Sequence, residues 1–234
     1  LMSATPIPRT LTMAIYGDMD LSIIKQKPKD RKEVITYSKS EEKIKDVISF
    51  VKKEIEDKNQ IFWVCPLIDE SKKIDHQSAV QKFKFLEKFF PKRVAIIHSK
   101  IDLDEKEIIL KNFLNKKYDI LVSTTIIEVG IDFPNANAII IENSNKFGLS
   151  QLHQLRGRVG RGIKQGKCIL MFKNNLSENA KKRIKILKNS NDGFVISEED
   201  MKLRGFGDIL GFKQSGIKIF KLADPIHNSD LFEL

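Results

Sequence analysis

Arg93-Val-Ala-Ile-Ile97, Asp102-Leu-Asp-Glu105 and Asp119-Ile-Leu-Val-Ser123 follow one another along the chain. The first and third are short β-branched runs and read as strands. Between them, Asp102 with Glu105 three residues on is an Asp variant of the capping box, the start of a helix. One strand–helix–strand unit of this kind predicts parallel pairing, because a parallel neighbour needs a long crossover.

The same alternation extends outward. Glu33-Val-Ile-Thr-Tyr37 reads as a strand. Ile44, Val47, Ile48, Val51 and Ile55 then repeat at the spacing of one helix face. Ile61-Phe-Trp-Val-Cys-Pro-Leu67 is strand-like, with Pro66 marking its end. Val80, Phe83, Leu86, Phe89 and Phe90 form a helix stripe stopped by Pro91. Downstream come Ala138-Ile-Ile-Ile141, a helix near 149–160, and Cys168-Ile-Leu-Met-Phe172. The pattern predicts an α/β domain, a parallel sheet with helices on both faces, which places ligands at the carboxyl ends of its strands.

The ends depart from this repeat. Residues 1–30 hold a short apolar run and then Lys25-Gln-Lys-Pro-Lys-Asp-Arg31, which reads as a linker. After Leu176 the strands stop. A helix through Ala180, Ile184 and Leu187 meets the turn signal Asn191-Asp-Gly193, and Ser197 with Asp200 reads as a second capping box. These predict a helical hairpin. The divisions expected are 1–30, 31–175 and 176–234.

The 234 residues include 41 Lys and Arg against 31 Asp and Glu, a net charge of +10. Lys supplies 33 of the 41, and the chain is also rich in Ile and Asn, whose codons are likewise AT-rich. The charge is therefore weak support for a polyanionic partner, and the placement of the eight Arg says more. Hydrophobic residues at 41% and charged residues at 31% exclude a disordered chain. No apolar run reaches the length of about 18 residues that a membrane span needs. The two Cys cannot build a disulfide framework, which suits a reducing compartment.

The chemistry concentrates in Gln154-Leu-Arg-Gly-Arg158-Val-Gly-Arg161-Gly162. Three Arg within six residues make little sense as core, since a guanidinium stays charged and is costly to bury. Gly157, Gly160 and Gly162 let the backbone approach something bulky. Planar guanidinium forks suit phosphate oxygens; the bland alternative is a solvated basic turn. A second phrase, Ser123-Thr-Thr-Ile-Ile-Glu-Val-Gly-Ile-Asp132-Phe-Pro-Asn135, offers hydroxyls and a carboxylate at a strand end, though Asp and Asn before and after a Pro also suit a plain turn.

Together the two phrases resemble the sixth and fifth motifs of superfamily-two helicases and translocases. That resemblance implies that Arg158 and Arg161 face the γ-phosphate of ATP, Arg161 as arginine finger. It implies that Gln154, Gly130 and Asp132 face the nucleotide, and that Thr124 and Thr125 contact the DNA backbone. Ser3-Ala-Thr-Pro-Ile-Pro-Arg9-Thr10 resembles the third motif, which couples nucleotide state to movement, through Ser3 and Thr5. Its wording narrows the family to RecG and the transcription-repair coupling factor. Trp63-Val-Cys-Pro-Leu-Ile68 and His98-Ser-Lys100 agree, with no role assigned to His98.

Ser190-Asn-Asp-Gly-Phe194, Asp200-Met-Lys-Leu-Arg204-Gly-Phe-Gly207 and Gln214-Ser-Gly216 resemble the translocation motif shared by those two families. By the resemblance, Arg183, Arg204 and Gln214 transmit nucleotide-driven movement to a DNA-facing element. RecG usually has Pro at the position of Phe206. Gln151-Leu-His-Gln154 resembles RecG more than the coupling factor.

The sequence has no Gly-x4-Gly-Lys-Ser/Thr loop; Gly162-Ile-Lys-Gln-Gly166-Lys-Cys168 is one residue short. It also lacks an acidic Asp-Glu-x-His/Gln phrase, and Glu198-Glu-Asp200 reads as a helix cap. Phosphate cradling and Mg²⁺ binding need both. The two Cys lack metal-ligand spacing, so no metal site is expected.

The resemblance implies the second RecA-like domain of a P-loop NTPase-type DNA helicase of the RecG family, plus its translocation hairpin. ATP and Mg²⁺ would be held with a front half in cis, and this chain alone would be inactive. Branched duplex DNA, meaning forks and Holliday junctions, would be the partner in recombination and repair. An N-terminal wedge would recognise it in the bacterial cytoplasm at the nucleoid, with no membrane contact. The alternatives are the equivalent domain of a coupling factor, or a non-catalytic RecA-like nucleic-acid-binding module.

Overall fold

A computed structural model describes residues 32–66, 72–98, 100–124 and 132–204. Within them, β1 (Ile35–Ser40), β2 (Gln60–Val64), β3 (Val94–Ile97), β4 (Ile120–Ser123), β5 (Ala136–Ile141) and β6 (Lys167–Phe172) form one sheet in the order β1-β6-β5-β2-β4-β3. Every neighbouring pair is parallel. The reason is visible in the residues: β2, β4 and β5 are buried along their whole length, as strands covered on both faces must be. The edge strand β1 alternates instead, with Ile35 and Tyr37 exposed.

Among the described residues six α-helices accompany the strands: α1 (Ile44–Glu56), α2 (Lys72–Phe89), α3 (Leu103–Leu114), α4 (Leu149–Arg156), α5 (Glu178–Asn189) and α6 (Gly193–Arg204). The buried stripe of α1, with Leu86 and Phe90 from and after α2, packs on Ile61, Trp63, Val122, Ile140 and Ile169. Phe62 points to the opposite face, where its ring lies 5.4 Å from Phe113 of α3 and 5.5 Å from Phe133. Burying each such ring or aliphatic side chain contributes about 1.5–3 kcal/mol, which is what fixes the helices to the sheet.

Local signals placed most boundaries. Asp102 caps α3, its side chain accepting from Glu105 N–H at 2.7 Å. Three readings shift. The helix expected near 149–160 ends at Arg156, because Gly157 and Gly160 favour the turn over another helical residue. Phe89 is 45% exposed although it falls on the apolar stripe of α2. Ser197 is not a cap: α6 begins at Gly193, and Asp192 caps it, accepting from Phe194 N–H through Oδ1 and from Ile196 N–H through its carbonyl.

The described residues up to Asn191 form one compact unit, and Asp192–Arg204 belongs to a second. In the first, α5 packs on β1 and α4. In the second, α6 carries a Glu199–Lys202 pair at 2.8 Å. No described helix is long and apolar enough to cross a membrane.

Both cysteines are free and buried. Burial pushes the Cys168 thiol up to about 12, against the opposing pull of Arg156. Burial, reinforced by the Glu142 carboxylate, likewise raises Cys65. Since the thiolate is the reactive form, an aromatic disulfide reagent near pH 8 is expected to label neither thiol in the folded chain and both after unfolding. Rapid labelling of the native protein would contradict this placement.

Candidate functional site

In a parallel sheet all amino ends lie along one edge and all carboxyl ends along the other. That simple fact divides the expected site in two. Thr124 follows the carboxyl end of β4, whereas Asp132 and Pro134 precede the amino end of β5, and Arg158 and Arg161 precede the amino end of β6. The arginines and Asp132 therefore gather at the amino edge, not at the carboxyl edge where parallel sheets usually hold ligands.

The three arginines play different parts. Arg156, at the last position of α4, is 2% exposed, which overturns the expectation that none of the three is core. Its Nη1 donates to the carbonyls of Leu187 at 2.6 Å and Ser190 at 2.9 Å, and reaches Thr36 Oγ1 at 3.3 Å. Its Nη2 lies 2.9 Å from His153 Nδ1. Burial lowers its pKa from the ordinary value, with Cys168 and Glu33 opposing. A guanidinium is tolerated there because its donors meet the carbonyls of Leu187 and Ser190 at the end of α5.

Arg158 and Arg161 stand on the turn that follows. Arg158 is half-buried, and its guanidinium has no hydrogen bond or ion pair among the described residues. Burial, then the positive charge of Arg161, lowers its pKa. Arg161 is exposed; its Nε donates to Gly157 O at 3.2 Å and its Nη1 pairs with Asp132 Oδ1 at 3.5 Å. At that distance in water the pair is weak. It leaves two guanidinium groups close enough to repel and one loosely held carboxylate beside them, an arrangement suited to an anion.

The glycines serve this turn, and the bulky neighbour they admit is the chain's own backbone. Gly160 has φ +67°, and a Cβ there would lie 2.8 Å from Gly166 Cα. A Cβ on Gly162 would lie 2.7 Å from Pro134 O. The turn is thus threaded between β5 and its own return into β6, with Gly160 N–H donating to Ala136 O at 3.2 Å.

At the carboxyl edge, Thr124 is 2% exposed and its hydroxyl has no hydrogen-bond partner among the described residues. Nearby, Glu142 pairs with Lys82 Nζ at 2.5 Å, and Lys82 lies over the Trp63 and Phe85 rings. Arg183 of α5 donates to Phe147 O at 2.8 Å and Asn179 O at 3.4 Å. Gln154 is half-buried on α4. Ser3, Thr5, Thr125, Gly130 and Gln214 lie outside the described residues, as does the side chain of Arg204. Among the described residues, no group of three or more His, Cys, Asp or Glu is placed to hold a metal ion.

Sequence reasoning missed a buried polar network beneath the arginine turn. The carboxylate of Glu54, 1% exposed, accepts from Asn59 Nδ2 at 2.9 Å and Lys167 Nζ at 2.6 Å. Asn59 Oδ1 in turn accepts from Lys164 Nζ at 2.8 Å and Asn137 Nδ2 at 3.1 Å. The signal was present: Glu54 stands three residues after Val51, on the apolar stripe of α1.

Residues 41–163 match the helicase conserved C-terminal domain, and residues 190–233 match the domain described as ATP-dependent DNA helicase RecG, domain 3, C-terminal. The chain is 45% identical over 229 residues to the ATP-dependent DNA helicase RecG of Bacillus subtilis, covering 97% of this chain and 33% of that protein. It is 46% identical over 238 residues to that of Treponema pallidum, covering 100% and 35%. The solved structure of RecG bound to a three-way DNA junction superposes with a TM-score of 0.77 at 42% identity, covering 100% of this chain and 30% of that one. The chain spans about a third of the length of the curated relatives it matches.

Proposed function

We propose, from the premise that the chain belongs to the helicase conserved C-terminal domain family and is a RecG-type helicase C-terminal domain, that it supplies the arginine face of an ATP-driven motor acting on branched DNA. The observation that carries this is the pair Arg158 and Arg161, held close on one glycine-threaded turn, with Asp132 the only carboxylate paired to either among the described residues.

The side chains present fit a nucleotide phosphate. ATP bound with Mg²⁺ supplies the phosphoryl group that is transferred to water. Arg161 donates its guanidinium fork to the oxygens where negative charge develops, releasing the weak bond to Asp132 as it does so. Arg158 adds a second positive charge from a partly desolvated position, where it counts for more. Asp132 pairs weakly with Arg161 until a phosphate takes its place. The phosphate cradle and the Mg²⁺ ligands belong to a front half in cis, since the relatives are about three times as long as this chain.

The reading also gives Thr124 a role. The stretch from Thr124 to Asp132 leaves one edge of the sheet and arrives at the other. It therefore connects a DNA-side hydroxyl to a nucleotide-side carboxylate within one phrase. The buried Thr124 hydroxyl, without a hydrogen-bond partner among the described residues, would donate to a phosphate oxygen of DNA. Ser3, Thr5, Arg183, Arg204 and Gln214 are proposed to pass the movement on, and Gln154 and Gly130 to line the nucleotide.

The match at residues 190–233 supports RecG over the coupling factor. In the intact enzyme, ATP hydrolysis stimulated by fork DNA and fork unwinding without RNA polymerase are expected. This chain alone should hydrolyse no ATP above background. Fork-stimulated turnover by the chain alone would refute the reading, and a requirement for RNA polymerase would favour the coupling factor.

A further inference from the structure

Arg161 sits in a stretch that apolar packing does not hold. From Arg161 to Gln165 every residue except Gly162 is exposed, and Ile163 is 86% exposed. A guanidinium on a loosely held stretch would lose much of its value to a transition state, because a displacement of about 1 Å costs on the order of 100-fold. Something polar must fix the stretch, and one side chain does so directly.

Lys164 is exposed as a residue, but its ammonium is held by two acceptors of the neighbouring loop. Its Nζ donates to Asp57 O at 2.7 Å and to Asn59 Oδ1 at 2.8 Å. The acceptor end is rigid. Asn59 is 5% exposed, and its amide is committed to Glu54, itself 1% exposed and bonded to Lys167. The same Asn59 oxygen receives Asn137 Nδ2, and Asn137 also donates to Asn135 O at 3.3 Å. Asn135 and Asn137 lie just beyond Asp132-Phe-Pro134, whose Pro134 carbonyl touches Gly162. One buried cluster thus sets both the Asp132 segment and the Arg161 stretch. Gln165 adds a longer bond to Glu33 O at 3.3 Å.

We propose that Lys164, anchored on the Glu54–Asn59–Asn137 cluster, is a positioning residue that fixes Arg161 for phosphoryl transfer. The inference rests on the arginine-finger reading of Arg161. Lys164 acts on Arg161 only through the chain, by removing the freedom of the two-residue link, Gly162-Ile163, between them. Ordering a lysine costs rotamer entropy, and two short charge-assisted bonds, one of them to the buried Asn59 amide oxygen, offset that cost.

The test is fork-stimulated ATP hydrolysis by the intact enzyme, with kcat and KM for ATP measured for the parent, Lys164→Met, Lys164→Arg, Arg161→Ala and Arg161→Lys. Lys164→Met is expected to lower kcat by about tenfold while KM stays within about twofold, the pattern of a group acting on the transition state. Its melting temperature should stay within about 2 °C of the parent. Lys164→Arg should restore most of kcat, because its longer fork reaches both acceptors. In the Arg161→Lys background, Lys164→Met should have no further effect. An unchanged kcat overturns the proposal. So does a loss that follows the melting temperature, or one that persists in full when Arg161 is already replaced. If Arg161→Ala itself leaves kcat unaltered, the arginine-finger reading fails first, and the two failures are thereby told apart.

Discussion

Arg161→Ala in the intact enzyme is expected to lower ATP turnover by about 10³-fold or more while fork binding stays within about threefold. The size follows from the role. An arginine that meets charge appearing only in the transition state adds little to ground-state binding, so its loss falls on kcat. The structure makes the variant easy to interpret, because Arg161 is exposed and its two bonds, at 3.2 and 3.5 Å, are weak. Truncating it should therefore leave the fold intact. Arg161→Lys keeps a charge but not the fork, and should recover only a small part of turnover. Turnover and fork binding lost together would point to a structural role instead. Turnover retained would remove the arginine finger from this turn.

Arg156→Met is the opposite case, a large effect on stability from an arginine five residues away. Loss of the guanidinium removes the donor shared by the buried Leu187 carbonyl, the Ser190 carbonyl and the buried Thr36 hydroxyl, where α5 ends. Each buried polar group left unpaired costs about 1–3 kcal/mol. The expected loss is therefore about 3 kcal/mol, or a fall of roughly 6–12 °C in melting temperature for a chain of this size. Urea and thermal unfolding of this chain measure it. Arg156→Lys should recover less than half, since one ammonium cannot reproduce a fork that spans Thr36, His153 and two carbonyls. A melting temperature within about 2 °C of the parent would show that α5 is held by its apolar face alone.

The contrast between these two residues shows what a linear pattern can and cannot express. Arg156, Arg158 and Arg161 look alike in the sequence, all flanked by Gly or near it. Residue 156 is the end of α4, whose inward face also carries Leu149, Leu152 and Leu155, while 158 and 161 lie beyond the helix. Which arginine is buried depends on where the helix stops, by a margin of two residues. The glycines show the same limit. Their freedom lets the backbone approach something bulky, and that neighbour is the chain's own backbone.

Much else was legible because it depends on periodicity. The parallel sheet and the α1 stripe follow from alternation of short β-branched runs with amphipathic segments, and Asp102 follows from its capping box. Central strands such as β5 were recognisable from apolar runs, here Ala138–Ile141 of the observed Ala136–Ile141, although which strand neighbours which was not. Glu54 was overlooked because a single charge on an apolar stripe reads as noise until its partners, Lys167 and Asn59, are known.

By itself the sequence determined the α/β class, the existence of the helices, and the chemical character of the arginine turn. These are properties of spacing and residue type, and spacing survives without coordinates. Only the tertiary structure decided that the Thr124 hydroxyl and the Asp132–Arg161 pair stand on opposite edges of one sheet. It also decided that Arg156 is a buried cap and that Lys164 ties the turn to a polar cluster. Those facts depend on which chain ends a parallel sheet brings together, and on partners as far apart in the chain as Asp57 and Lys164.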